Sequence, residues 1–370
     1  MDDNVNLVIK LTNDCNQRCQ YCYNYNDGRR QQNTYMEKGM IENLIKNALA
    51  YSKTSCTFCW HGGEPLLAGI DTFKYIIDIQ KKYNTNNTII NNNMQTNGIL
   101  LKRDIALFFN ENNIGVSVSL DGPFDIQSST RQTNKFNYNR IIENLNTMNE
   151  LNIPFSVLTV VNKETLGHEQ SLFDFYTYYN IQKVGLLPCI VANKNEVNRE
   201  LTLTPDEYGS FLIKLFDIWC KSTNYNLSFR DFDEYFKFIQ GKKPVYCVHS
   251  NKCGNVLVVD TDGKIYICDE FPFTEENCVG SADQPFELLD ESLNLSHFRS
   301  MNHSIPIQCQ TCEYQGFCNT GCLFKRWLRD SSFHERQLFC ESDLLLFRHI
   351  DSVLSKLMFN KQPGAPPIAI

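Results

Sequence analysis

The chain has 370 residues and a mass of 42.9 kDa, too long for one small domain and enough for two, or for one large α/β barrel with an appendage. Apolar residues make up 42% and charged residues 21%, which excludes wholesale disorder. Lys and Arg (35) against Asp and Glu (42) leave a net charge of −7 with no basic block, no membrane-length apolar run and no secretory signal, so neither nucleic acid nor membrane is an expected partner and a cytoplasmic protein is expected.

In chain order, residues 5–205 alternate short apolar runs with longer helical stretches. Strands are expected at 7–11, 56–60, 88–92, 115–120, 155–161 and 184–188. The first helix opens on a capping-box pattern, Thr34-Tyr35-Met36-Glu37, and carries Met40, Leu44, Ala48 and Tyr51 on one face. Arg29-Arg30 precedes no apolar segment and is no export signal. Six units in about 200 residues approach the repeat of a (β/α) barrel, and six strands rather than eight imply a partial, splayed TIM-like (β/α)6 barrel. A doubly wound sheet has the same alternation and stays open.

The loops after these strands carry the distinctive residues. Strand 1 leads into Cys15-x3-Cys19-x2-Cys22, strand 2 into His61-Gly62-Gly63-Glu64-Pro65-Leu66, and strand 3 into Gln95-Thr96-Asn97-Gly98. On strand 4 the period of two puts Ser117, Ser119 and Asp121 on one face. The glycine pair would let backbone approach a ligand, and Glu64 offers a carboxylate to an ammonium group. Each feature alone is ordinary turn chemistry; the signal is their placement at the C-terminal ends of successive strands, where barrels build their working face. The Asn-rich stretch 84–93 reads as compositional bias.

Thr204-Pro205-Asp206-Glu207 opens another helix, with an apolar stripe of Tyr208, Phe211, Leu212, Leu215, Phe216 and Trp219. Polar residues 221–228 mark a boundary, giving a barrel over 1–222 and a helical linker over 223–246. A small Cys-rich domain over 247–345 follows, with a hairpin of 256–259 and 264–267 around Thr261-Asp262-Gly263. Residues 346–370 read as a helix end and a loose tail, Lys361-Gln362-Pro363-Gly364-Ala365-Pro366-Pro367.

Sixteen cysteines in a reducing compartment point to metal rather than disulfides. Eleven fall into three groups: Cys15, Cys19 and Cys22; Cys247, Cys253 and Cys268; and Cys309, Cys312, Cys318, Cys322 and Cys340. Three thiolates on one short loop leave a coordination site open, which suits an iron–sulfur cluster better than a closed structural zinc site. The other eight divide into two closed four-thiolate sites, and their spacing alone also allows zinc in a non-catalytic binding module. Cys56 and Cys59 are expected on opposite faces of a strand, and with Cys189, Cys220 and Cys278 they read as small packing groups.

These motifs resemble the radical S-adenosylmethionine enzymes with a C-terminal SPASM domain, over roughly residues 5–345. The resemblance rests on C-x3-C-x2-C at 15–22, Gly-Gly-Glu-Pro at 62–65, C-x9-G-x4-C at 253–268 and C-x2-C-x5-C-x3-C at 309–322 with Cys340. It implies three [4Fe–4S] clusters. One would be held by Cys15, Cys19 and Cys22 and would bind S-adenosyl-L-methionine; a second by Cys247, Cys253, Cys268 and Cys322; a third by Cys309, Cys312, Cys318 and Cys340. Tyr21 would lie near the adenine, Gly62, Gly63 and Glu64 would hold the methionine ammonium, and Ser119 its carboxylate. A 5′-deoxyadenosyl radical would then take hydrogen from the substrate, and a small electron-transfer protein such as flavodoxin or ferredoxin would be the reductant.

The resemblance gives two peptide substrates. One is a ribosomally made precursor peptide receiving an oxidative cross-link, the other a sulfatase whose Cys or Ser becomes formylglycine. Asp269, directly after Cys268, matches the general base of sulfatase-maturing members. His61 departs from their usual Gln and is commoner among cross-linking maturases, so the cross-link is the expectation by that single residue.

Overall fold

The computed structural model describes residues 4–26, 34–190, 199–224 and 226–359. Arg29-Arg30 and the expected tail at 361–367 lie outside them. All six expected strands form: β1 (Asn4–Thr12), β2 (Ser55–Gly62), β3 (Ile89–Thr96), β4 (Ile114–Ser119), β5 (Phe155–Val161) and β6 (Lys183–Pro188). They pair in parallel in sequence order, and β6 pairs onward with β7 (Ser228–Phe229) instead of closing on β1. The result is the open barrel implied by six strands.

The other edge of β1 is taken by β8 (Val256–Val259), which runs parallel to it from Asn6↔Val256 to Ile9↔Val259. Antiparallel β9 (Lys264–Tyr266) and β10 (Cys278–Ser281) complete a ten-stranded sheet, so the Cys-rich region continues the barrel sheet. Gly263 closes the β8–β9 hairpin at φ +83, and a Cβ there would strike the Met40 side chain, so the turn packs directly on the helix Lys38–Tyr51.

Strand alternation decides which residues line the barrel. Leu7, Ile9, Phe58 and Trp60 face outward into the helical layer and are fully buried, whereas Val8, Lys10, Cys59 and His61 take the inner face. Within the Asn run one residue is structural: buried Asn92 accepts the Trp60 Nε1–H at 3.0 Å and exchanges hydrogen bonds with Gln80, while Asn91 and Asn93 sit exposed on the inner face. The first helix is capped by Glu37, not Thr34; residues 34–36 run beside the end of β1, where the Thr34 carbonyl accepts from the Thr12 hydroxyl. The Thr204 capping box forms as expected and starts Pro205–Lys221. Cys56 and Cys189 are buried packing groups, but Cys220 is exposed and so is no core filler. Among the described residues no helix is long and apolar enough to cross a membrane.

Candidate active site

The loop after β1 carries Cys15, Cys19 and Cys22 and is clamped from both sides. On one side Gly63 N–H donates to Thr12 O at 2.7 Å and Glu64 N–H to Asp14 O at 2.8 Å. A Cβ on Gly62 would overlap the Thr12 carbonyl and one on Gly63 the Asp14 carbonyl, so the glycines serve the approach of the cysteine loop itself. On the other side Gln20 N–H donates to Thr130 O at 2.9 Å, tying the loop to the helix Phe124–Arg131.

The three thiols share one environment. Burial pushes Cys19 up to about 12, the Arg131 guanidinium opposes that, and Cys22 and Cys15 add to it. Arg131 Nη1 points at Cys19 Sγ from 3.9 Å and Asn97 Nδ2 at Cys15 Sγ from 3.9 Å. Donors aimed at sulfur are what metal-bound thiolates use. The other eight separate by proximity: Cys322 raises Cys247, Cys253 and Cys268, and Cys309, Cys312 and Cys340 raise Cys318. Cys309, Cys312, Cys318 and Cys340 line one pocket. Among the described residues no three ligating side chains converge as a single ion requires.

Glu64 is fully buried and already accepts from Leu66 N–H (3.0 Å), Thr96 Oγ1–H (2.8 Å) and Asn97 N–H (2.7 Å). Burial nevertheless raises it to about 7, so a nearby cation would stabilise its charged form. Ser119 closes the inner face of β4 and its Oγ accepts from Gln95 Nε2 at 2.7 Å. Asp121 does not share that opening: it is wholly buried and receives Tyr21 OH (2.5 Å), Thr130 OH (2.9 Å) and Arg131 Nη2 (3.0 Å). The Tyr21 ring therefore packs 5.4 Å from the Arg131 guanidinium, which sequence reasoning had not singled out.

Asp269 closes the site from the Cys-rich side. It is ion-paired with Lys10 at 2.9 Å and accepts from Tyr23 OH at 2.8 Å. Burial would raise its carboxyl, but Lys10, His61 and these hydrogen bonds hold it down at about 2. Lys10 is completely buried on β1, with its ammonium also on Asn24 Oδ1 (3.1 Å) and over the Phe273 and Tyr23 rings. The overlooked signal was one lysine inside an apolar strand run. Cys59 stands on the inner face, partly buried, where burial first and the Asp269 charge second raise its thiol.

Residues 9–175 match the model of the Radical SAM superfamily. The chain is 31% identical over 363 residues to the cysteine-type anaerobic sulfatase-maturating enzyme of Clostridium novyi, covering 95% of this chain and 96% of that one. It superposes on native anSMEcpe with bound AdoMet and Cp18Cys peptide with a TM-score of 0.86 at 26% identity, covering 97% of this chain and 99% of the other. Streptococcus suis SuiB bound to precursor peptide SuiA gives a TM-score of 0.67 at 15% identity, covering 90% and 75%, a likeness of fold.

Proposed function

The chain belongs to the radical SAM superfamily, among the SPASM-containing relatives of the anaerobic sulfatase-maturating enzymes, and we propose that it oxidises a cysteine side chain of a sulfatase-type peptide to formylglycine. The observation that carries this reading is the carboxylate of Asp269, kept ionised by Lys10 and Tyr23 at the inner face of the barrel, beside Cys268. Full-length similarity to a cysteine-type enzyme adds weight, and it outweighs the single residue that favoured a cross-link.

The proposed ligands are Cys15, Cys19 and Cys22 for the cluster that takes S-adenosyl-L-methionine, with Cys247, Cys253, Cys268 and Cys322, and Cys309, Cys312, Cys318 and Cys340, for two more. When bound, these groups supply the hydrogen-abstracting 5′-deoxyadenosyl radical and a sink for one electron. The division into a barrel over 1–222, a linker over 223–246, a SPASM domain over 247–345 and a terminal segment belongs to the same proposal, as do a flavodoxin- or ferredoxin-like reductant and a cytoplasmic location.

The protein's own part is positioning and proton transfer. Gly62 and Gly63 seat the cysteine loop on β2, and Glu64, Tyr21 and Ser119 are the proposed contacts of the methionine and adenosine moieties. Asp269 would receive the thiol proton as the neighbouring carbon gives up one hydrogen atom and one electron; water then hydrolyses the resulting thioaldehyde, which releases hydrogen sulfide and leaves the aldehyde.

His61 is the specific observation for the second reading, a cross-link in a precursor peptide. Mass spectrometry after anaerobic incubation with both peptides separates them. An aldehyde in place of the thiol supports formylglycine formation. Loss of two hydrogens with fragmentation blocked between two residues would establish the cross-link instead.

A further inference from the structure

Three cationic side chains are buried among the described residues: Lys10, Arg131 and Arg326. Lys10 pairs with Asp269 and Arg131 with Asp121. Arg326 is wholly buried, and among the described residues it has no carboxylate in ion-pair contact. Its Nη2–H donates to the Phe333 carbonyl and its Nη1–H to Thr320 Oγ1 at 3.4 Å, while its Nε–H meets no acceptor. Asp330, the nearest carboxylate along the same helix, is engaged by the Ser332 and Phe333 N–H groups. A buried cation without a counter-charge is strongly unfavourable.

The anions that balance it are thiolates. Arg326 stands one turn into the helix Leu323–Asp330, whose N-cap is Cys322, and its backbone N–H donates to the Cys322 carbonyl at 3.0 Å. Thr320, which its side chain engages, lines the same pocket as Cys309, Cys312, Cys318 and Cys340. The residue is thus tied by its backbone to one proposed four-thiolate centre and by its side chain to the wall of the other. Burial raises Cys309 and Cys253, one from each group, and the guanidinium opposes it at both. Burial in turn lowers Arg326, and Cys309 leads the anions that oppose this, ahead of Asp330 and Cys253.

We propose that Arg326 supplies a fixed positive charge shared by the two four-thiolate centres, raising the reduction potential of both and most strongly that of the centre containing Cys309, which makes it the better acceptor for the electron that leaves the substrate. The inference rests on the cluster assignment above. Each electron accepted adds one negative charge to a cluster, and a neighbouring cation stabilises the reduced form more than the oxidised one. One electron leaves the substrate and one centre is reduced by one. Arg326 exchanges no proton in that step, because a guanidinium stays charged throughout the neutral range. It touches no reacting atom and acts through the clusters, as a positioning residue.

The test is a redox titration, followed by electron paramagnetic resonance, of the full anaerobically loaded chain carrying Cys15→Ala, so that only the two four-thiolate centres respond. Adding Arg326→Gln should shift the reduction equilibrium of the Cys309 centre toward the oxidised form by roughly tenfold, or about 59 mV for one electron. The other centre should shift by less, and iron content should not change. Adding Cys312→Ala removes the Cys309 centre and so tells the two signals apart. Arg326→Lys keeps the charge and should hold both potentials close to those of the parent. Parent potentials in Arg326→Gln at full iron content, or equal shifts in both variants, would overturn the inference alone. Should Arg326→Gln lose iron, Arg326→Lys decides: full iron with unshifted potentials supports the charge, whereas loss of iron there too overturns it in favour of a purely structural part. Zinc in place of iron in the parent would overturn the cluster assignment and the inference with it.

Discussion

Lys10 Nζ and Asp269 Oδ1 lie 2.9 Å apart and join the first barrel strand to the residue that follows Cys268. The cation is the principal opponent of burial in holding the Asp269 carboxyl near 2 instead of its ordinary 3.8. A carboxyl lowered by folding contributes stability above its unfolded value, and that contribution is lost as pH falls through the folded value. Lys10→Met leaves burial unopposed by the ammonium. We expect a stability loss of about 3 kcal/mol, read by denaturant titration, and an acid limb of product formation moved to higher pH.

Asp269→Asn tests the carboxylate as a proton acceptor. S-adenosylmethionine cleavage should continue while product formation falls by roughly 10²- to 10⁴-fold. Chromatography of 5′-deoxyadenosine against peptide product checks both numbers in one reaction. Product at the wild-type rate would remove Asp269 from the chemistry.

Gly63→Ala should act on the cysteine loop and not on the strand that carries it. Its new Cβ would occupy the Asp14 carbonyl position, so the loop has to move away from β2. The expected outcome is loss of about four irons per chain with little change in the secondary-structure spectrum. Iron analysis beside circular dichroism checks it.

The three thiol groups predict a stepwise iron count. Wild type purified anaerobically should hold about twelve irons, and Cys15→Ala and Cys312→Ala about eight each. Only Cys15→Ala should also abolish S-adenosylmethionine cleavage. A colourless protein holding zinc would refute the cluster assignment altogether.

What the sequence made legible was local. The six strands, the Thr204 helix start and the hairpin at Gly263 follow from periods and turn residues read a few positions at a time. The cysteines stood out by their spacing, whereas the placing of Cys322 with Cys247, Cys253 and Cys268 came from the family resemblance. Lys10 and Arg131 were not legible, since each owes its place to a partner reached only by folding: Asp269 for one, Asp121 and Cys19 for the other. The Asn run looked like biased composition until Trp60 and Gln80 were seen to close on Asn92.

The pairing of β1 with β8 bears on how the chain is made. During synthesis β1 emerges first, and one of its edges has no native partner until Val259 has left the ribosome. Parallel pairing across so long an interval forms slowly, and an open edge recruits strands from other chains. A nascent or truncated chain ending before β8 should therefore be aggregation-prone even with the barrel helices in place. The dependence would appear as solubility that recovers only once residues 256–259 are included.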